Sequence, residues 1–180
     1  MDISALQTRL PAIRKWIDTL VEEQRPKARP LASFGFARLA HYFDAETLKR
    51  ASVIEVDVVP KPPLTALGLH QFSDFEQLNG AGLTYGDIYF VVRARANDES
   101  LHFHELVHTI QWHDLGVDRF ILAYALGHLA GGGYEDNPLE EIAHTLEGIF
   151  TREPRLFRVE PIVSQHLDRV VPQLMEAAGL

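Results

Sequence analysis

Two histidines and a glutamate in the middle of the chain have the types and the spacing of a metal site. His104, Glu105 and His108 form an H-E-x-x-H pattern. Residues four apart lie on one face of an α-helix about one turn apart, so both imidazoles can reach the same metal ion. Glu105 lies beside His104 and three residues before His108, so its carboxylate can face that ion without binding it. This arrangement is typical of a metal-activated water with an adjacent general base.

A catalytic zinc site takes three protein ligands, so a third residue must join His104 and His108. The chain has no cysteine, which leaves histidine and carboxylate side chains as ligands. The candidates after the motif are His113, His128, Glu140, Glu141 and His144. His113 follows His108 by five residues and therefore points off the face of the motif. Glu140 and Glu141 begin a new helix after a proline turn, and two histidines with one glutamate are a known catalytic set.

Helices and a small group of strands are predicted around this motif. Apolar residues spaced three and four apart predict helices over residues 3–23 and 34–50. Runs of β-branched and aromatic residues predict strands over residues 53–59 and 87–93. Asn97 or Asp98 begins the helix that carries the motif, and Gly116 ends it. Further helices are predicted over residues 119–129, 139–150 and 159–178. A mostly helical chain with a small sheet before the motif helix belongs to the α+β class.

The length and composition favour one globular domain. A chain of 180 residues can bury a core, and its hydrophobic and charged fractions, 46% and 23%, are ordinary for a globular protein. We predict a single domain over residues 1–180, with a helical segment over residues 1–50 and a metal-site core over about residues 83–150. The oligomeric state is not readable from the sequence.

Charge and hydropathy argue against two classes of partner. The net charge is −8, whereas a nucleic-acid partner requires a basic surface. No segment approaches the roughly 18 apolar residues of a membrane span, so no membrane partner is expected. The N-terminus lacks a basic segment followed by an apolar run, which predicts a cytoplasmic location without a signal peptide.

The residues around the motif resemble the active-site region of a metallopeptidase family. The segment of residues 104–112, HELVHTIQW, is similar to the active-site helix of zincins of the gluzincin type, in particular small bacterial zincin-like domains. Residues 137–140, NPLE, resemble the N-P-x-E turn of those domains, and residues 140–144 fit the frame in which gluzincins supply their glutamate ligand. The resemblance covers about residues 83–150. It implies a zincin-like fold, Zn²⁺ as the cofactor and Glu140 as the third ligand.

Two further features follow from the resemblance. At the position where gluzincins usually carry an aspartate, this chain has His144. The family's bond between that carboxylate and a ligand imidazole would then have to come from Glu141 or Asp136. The strand at residues 87–92 resembles the edge strand over which gluzincins lay an extended substrate.

Zinc-dependent hydrolysis of peptide bonds is the function that these features predict. Zn²⁺ on His104, His108 and Glu140 would lower the pKa of a bound water, and Glu105 would take its proton and pass it to the leaving amine. The expected partner is a peptide or protein substrate. The alternative is a non-catalytic zincin-fold protein that binds metal or serves as an interaction module.

The oxyanion formed during such a reaction also needs a stabilising group. The candidates are Tyr134, His128 and His144, of which we favour Tyr134 as a catalytic residue. Gln111 and Trp112 return to the face of His104 and are predicted to line the cleft or to join the core. His102 is predicted to lie on the surface, because it points away from that face.

Overall fold

The chain folds as a mostly helical α+β structure around one hydrophobic core, which confirms the predicted class. The computed structural model describes residues 3–152 and 155–180. The α-helices of these residues are α1 (Ser4–Gln24), α2 (Ala45–Arg50), α3 (Ser73–Gln77), α4 (Glu99–Leu115), α5 (Val117–Gly131), α6 (Pro138–Arg152) and α7 (Val159–Ala177). The strands are β1 (Arg29–Pro30), β2 (Ser52–Val56), β3 (Gly82–Tyr85) and β4 (Ile88–Val92). Within this part of the chain, no helix has the length and apolar composition that crossing a bilayer requires.

The sheet has the strand order β1-β2-β4-β3, with β2 and β4 parallel and the outer pairs antiparallel. Gly86, at φ +66°, allows the tight turn that joins β3 to β4. The expectation that the strand at residues 87–92 forms an edge is therefore wrong. β4 is almost entirely buried and lies inside the sheet, and β3, which we did not predict as a strand, is the edge strand next to it.

The predicted helix over residues 34–50 is correct only for its last six residues, which form α2 after Asp44. The chain forms short 3₁₀ turns at Leu31–Phe34 and Ala37–His41, and only α2 is helical in this segment. Gly35 adopts a left-handed conformation at φ +73°, and Asp44 is extended, so both interrupt a continuous helix. The first two residues of the predicted 1–50 helical segment lie outside the described residues.

Helix α4, which carries the motif, begins and ends as predicted. The side chain of Asp98 accepts a hydrogen bond from the Ser100 backbone nitrogen (3.0 Å), and Gly116 at φ +71° ends the helix. Its neighbours α5, α6, α7 and β3 surround it, so every residue from Leu101 to Trp112 is buried. A helix buried on all sides must pair its polar side chains within the protein.

His102 shows this effect and corrects the prediction that it lies on the surface. The side chain is fully buried. Its Nε2–H donates to the Ala96 carbonyl oxygen (2.9 Å), and its Nδ1 accepts from the Tyr89 hydroxyl (2.8 Å). The residue therefore ties α4 to β4 and has no part in the motif.

Candidate metal centre

The structure brings His104, His108 and Glu140 together in the interior. Helix α4 presents the two histidines one turn apart, and α6 packs against α4 and supplies the glutamate from its first turn. The two Nε2 atoms are 3.0 Å apart, and Oε2 of Glu140 is 3.3 Å from each of them. All three side chains are buried, whereas Glu141, the neighbouring alternative, is exposed. These three residues can hold a metal ion between them.

The outer hydrogen bonds of the two imidazoles determine which nitrogens carry protons. His104 Nδ1 lies 3.2 Å from a carboxylate oxygen of Glu147, and His108 Nδ1 lies 2.8 Å from the amide oxygen of Gln111. The amide nitrogen of Gln111 donates to a backbone carbonyl of α6 (2.8 Å), which fixes the orientation of this amide. Because both partners are acceptors, each Nδ1 carries the hydrogen. In the neutral imidazoles both Nε2 lone pairs then face Glu140.

Three acceptor atoms at this separation need a positive charge between them. In the metal-free protein a proton provides it: burial opposes protonation of His104, but the carboxylates of Glu140 and Glu147 outweigh burial and raise its pKa to about 10. Burial also opposes ionisation of Glu140, yet His108 and His104 keep the pKa of Glu140 well below its usual value. Burial lowers the pKa of His108 and the Glu140 carboxylate raises it, and the resulting pKa is above its usual value.

The donor set fits zinc in type and in spacing. A tetrahedral zinc ion with bonds of about 2.0–2.1 Å separates its ligand atoms by about 3.3 Å, close to the spacing of the three atoms here. Oε2 of Glu140 is buried and has no hydrogen-bond partner among the described residues, whereas Oε1 accepts from the Tyr124 hydroxyl (2.6 Å). One carboxylate oxygen is thus anchored, and the other faces the imidazoles.

The turn before α6 positions Glu140. The buried side chain of Asn137 accepts from the Leu139 backbone nitrogen (3.1 Å) and donates to the Tyr124 carbonyl oxygen (3.1 Å). A Cβ at Gly127 would lie 2.4 Å from the Asn137 amide oxygen, so α5 requires a glycine there. The Asn-Pro turn is therefore fixed against α5, and the first turn of α6 is fixed with it.

Glu147 provides the carboxylate bond to His104 that the sequence suggested from Glu141 or Asp136. Both of those residues are exposed, so that expectation is wrong. Burial opposes the charge of Glu147, but His104 and His144 lower its pKa to about 2, so it is ionised. Glu140, His144 and Glu147 follow one face of α6 at spacings of four and three, a pattern that sequence analysis could have used to find Glu147.

Glu105 lies beside the cluster without belonging to it. It is 2% exposed, and its Oε2 accepts a hydrogen bond from the Thr84 hydroxyl (2.7 Å). A Cβ at Gly82 would lie 2.2 Å from its Oε1, so any larger residue at that position would have to displace this carboxylate. Burial raises the pKa of Glu105, against the opposing effect of the two histidines. Sequence reasoning missed both Thr84 and Gly82.

Of the other predicted residues, Tyr134 and His144 lie at the site and His128 does not. Tyr134 and His144 line the same cleft as Glu105, with their rings 6.0 Å apart. Burial and then the charge of Glu140 raise the pKa of Tyr134. His128 pairs with Asp74 (3.1 Å) and does not line this cleft.

Trp112 joins the core, and Gln111 orients the His108 imidazole. The Trp112 ring stacks on Phe120 with centroids 4.1 Å apart. Gln111 and Trp112 were both predicted to face the cleft or the core. Because α4 is enclosed on every side, Gln111 contacts His108 and Trp112 packs on Phe120.

No protein-family model, curated protein or solved structure matches this chain. The zincin resemblance therefore stays a prediction that rests on the residues themselves.

Replacing Glu140 tests the ligand assignment. We expect wild-type protein to bind one equivalent of zinc and Glu140→Ala to weaken binding by more than about 100-fold, because a ligand contributes more than its supporting residues do. Glu141→Ala, one position further along α6, should bind like wild type. Competition with a chromophoric chelator gives both affinities, and the reverse order for the two variants would refute the assignment.

Glu147→Gln tests the outer carboxylate. The amide keeps the shape of the side chain but removes the charge that orients His104, so we expect zinc affinity to fall by about 10- to 100-fold. Glu141→Gln provides the same chemical change on an exposed position of the same helix. Equal affinities in the two variants would show that Glu147 does not support the site.

Zinc affinity should rise with pH. The pKa of His104 is raised to about 10 in the metal-free protein, so near neutral pH the cluster holds a proton that zinc must displace. Below this pKa the proton competes, and the competition weakens as pH increases towards it. Calorimetry in buffers of different ionisation enthalpy should detect proton release near pH ~7. Binding without proton release would contradict the charge assignment.

Proposed function

We propose that this protein is a zinc-dependent peptidase in which Glu105 acts as the general base. The observation that carries the proposal is a fourth buried side chain, Glu105, which Thr84 holds beside three converging ligand atoms without making it a ligand. A closed structural zinc site takes four protein ligands, whereas a catalytic site takes three and leaves one position open. A site without turnover has no need of a base. When bound, zinc would supply Lewis-acid activation of a water molecule and of a carbonyl group.

Glu105 has the environment that a general base requires. Its burial raises its pKa above the ordinary value of a glutamate, which makes the carboxylate a stronger proton acceptor. The Thr84 hydroxyl fixes one of its oxygens, which leaves the other to take a proton from the attacking water and to pass it to the leaving amine. Gly82 leaves the room that this second oxygen needs.

Tyr134 is the proposed donor to the oxyanion. Burial and the neighbouring Glu140 carboxylate raise its pKa, so its hydroxyl stays protonated and able to donate a hydrogen bond. Tyr134 lines the same cleft as Glu105 and His144.

The outer side of β3 is the proposed binding surface for the substrate backbone. Among residues 3–152 and 155–180, β4 is the only strand that pairs with β3, so the other side of β3, near Glu105, is an outer side of the sheet. An extended peptide can add to such an edge as a further strand. We therefore propose a peptide or an unfolded protein segment as the substrate. The cytoplasmic location stays a prediction from the sequence.

A metal-binding protein without turnover is the second candidate. The side chains of His104, His108 and Glu140 are only 3–8% exposed, which restricts the approach of a folded protein to the metal centre. A substitution of Glu105 separates the two candidate functions, because only a peptidase requires this carboxylate as a base.

Glu105→Gln tests the proposed reaction. The variant should bind zinc like wild type and lose at least about 100-fold in the cleavage rate of a peptide library, because the base is removed and its shape is kept. Gly82→Ala should have a similar effect by displacing the Glu105 carboxylate, whereas Gly80→Ala, where a Cβ meets only an ordinary contact, should not. Mass spectrometry of the library measures cleavage. Zinc-loaded wild type without cleavage would support the second candidate, and an active Glu105→Gln would rule out the assigned base.

A further inference from the structure

A second group of possible metal ligands lies beside the proposed metal centre. His104, His144 and Glu147, here called the outer group, each offer one ligand atom, and these three atoms lie within 4.8 Å of one another. His144 and Glu147 are three residues apart on α6 and therefore share one face of that helix. Two imidazoles and a carboxylate are a donor set that suits zinc and similar divalent ions.

Two imidazole rings connect the outer group to the metal centre. His104 has Nδ1 3.2 Å from Oε2 of Glu147 and Nε2 3.3 Å from Oε2 of Glu140. His144 has Nδ1 3.6 Å from the same oxygen of Glu147 and Nε2 4.0 Å from the same oxygen of Glu140. Each ring therefore has one nitrogen near each carboxylate, so the same two side chains can bind an ion at either end.

Exposure decreases from the outer group to the metal centre. The side chains of His144 and Glu147 are 45% and 22% exposed, whereas that of Glu140 is 3% exposed. All three residues line the cleft that contains Glu105. An ion that enters through this cleft contacts His144 and Glu147 before it reaches Glu140. A buried metal site needs an entry path, and ligands along that path replace the water that the ion loses.

His104 cannot bind an ion at both ends at once. A neutral imidazole has one nitrogen lone pair and one N–H group, so it binds a metal through Nδ1 or through Nε2. An ion on Nδ1 leaves the hydrogen on Nε2, which lies 3.3 Å from Oε2 of Glu140. On transfer inwards the bond from Nδ1 breaks, a bond from Nε2 forms, and the hydrogen returns to Nδ1 by exchange with solvent. The outer group is therefore an intermediate site and not a second permanent one.

We propose that the outer group is an entry site that takes a divalent transition-metal ion from solvent and passes it to the metal centre. The inference rests on the proposed metal centre and not on peptide hydrolysis. It gives His144 a role of its own: this residue binds the entering ion without becoming a ligand of the final site.

His144→Ala tests the entry site through the kinetics of metal uptake. Stopped-flow absorbance of metal-free protein mixed with Co²⁺ follows binding directly and requires no turnover. We expect the variant to take up Co²⁺ at least about tenfold more slowly, because the entering ion loses a ligand on its path. Dissociation into excess chelator should slow by a similar factor. The affinity should then change by less than about threefold, since an intermediate site affects both directions and leaves the end states unchanged.

The alanine variant also widens the cleft, which distinguishes two possible roles of His144. If the side chain only covers the metal centre, its removal speeds uptake, whereas removal of a ligand for the entering ion slows uptake. His144→Glu restores a ligand atom and should bring the rate to within about threefold of wild type. His113→Ala removes an exposed histidine of α4 that does not line the cleft, and should change neither rate.

A variant with an incomplete metal centre tests the outer group at equilibrium. His108→Ala/Glu140→Gln changes two ligands of the metal centre and keeps every member of the outer group. Zinc should then bind through Nδ1 of His104 and of His144, which long-range ¹H–¹⁵N NMR spectra of the rings distinguish from binding through Nε2. Adding His144→Ala should remove this binding. If the double variant does not fold, the uptake kinetics decide alone.

The outcomes separate this inference from the proposed function. Unchanged or faster Co²⁺ uptake by folded His144→Ala, or zinc bound through Nε2 in the double variant, overturns the entry site and leaves the metal centre intact. Faster dissociation from His144→Ala would make His144 a ligand of the final site and also contradict the proposal. Slower uptake by this variant, in a protein whose wild type cleaves no peptide, supports the entry site and overturns the peptidase. A wild type that binds neither Co²⁺ nor Zn²⁺ overturns both.

Discussion

The mutual repulsion of three acceptor atoms is the interaction on which the rest of the site depends. Nε2 of His104, Nε2 of His108 and Oε2 of Glu140 lie within 3.0–3.3 Å of one another in the interior. Their outward bonds to Glu147, Gln111 and Tyr124 prevent them from turning away. Burial excludes the water that would otherwise separate them. A cation between them turns this repulsion into a link between α4 and α6, so metal binding and stability of the fold are coupled.

Helices position the proposed metal ligands, and the sheet positions the proposed base. The helices α4, α5 and α6 hold the three proposed ligand atoms, and the edge strand β3 holds Glu105, the proposed base. Thr84 and Gly82 on β3 set the position of Glu105 from outside the helix that carries it. The proposed base and the proposed ligands are therefore positioned by different elements, which keeps Glu105 near the metal centre but out of the ligand set.

Local sequence signals were sufficient for the parts of the site that one helix turn encodes. The spacing of His104 and His108, the start of α4 at Asp98 and its end at Gly116 all follow from neighbours along the chain. The Asn-Pro turn before Glu140 is local in the same sense. The role of Tyr134 stays a prediction, although it lies in the expected cleft.

Local sequence patterns did not predict the contacts between segments that are distant along the chain. Thr84 and Glu105 are 21 residues apart, and His104 and Glu147 are 43 residues apart. The burial of His102 depends on elements that surround α4, and the edge position of β3 depends on β2 pairing with β4. Periodicity describes which residues share a face but not what covers that face, so these features needed the tertiary structure.

X-ray absorption at the zinc edge of the zinc-loaded protein addresses the metal centre most directly. The structure leads us to expect two imidazole nitrogens and two oxygens at about 2.0–2.1 Å, one oxygen from Glu140 and one from solvent. Glu105→Gln should leave this spectrum unchanged. A coordination shell that loses an oxygen in Glu105→Gln would make Glu105 a ligand and contradict its role as the base, and a protein that takes up no zinc would contradict the site itself.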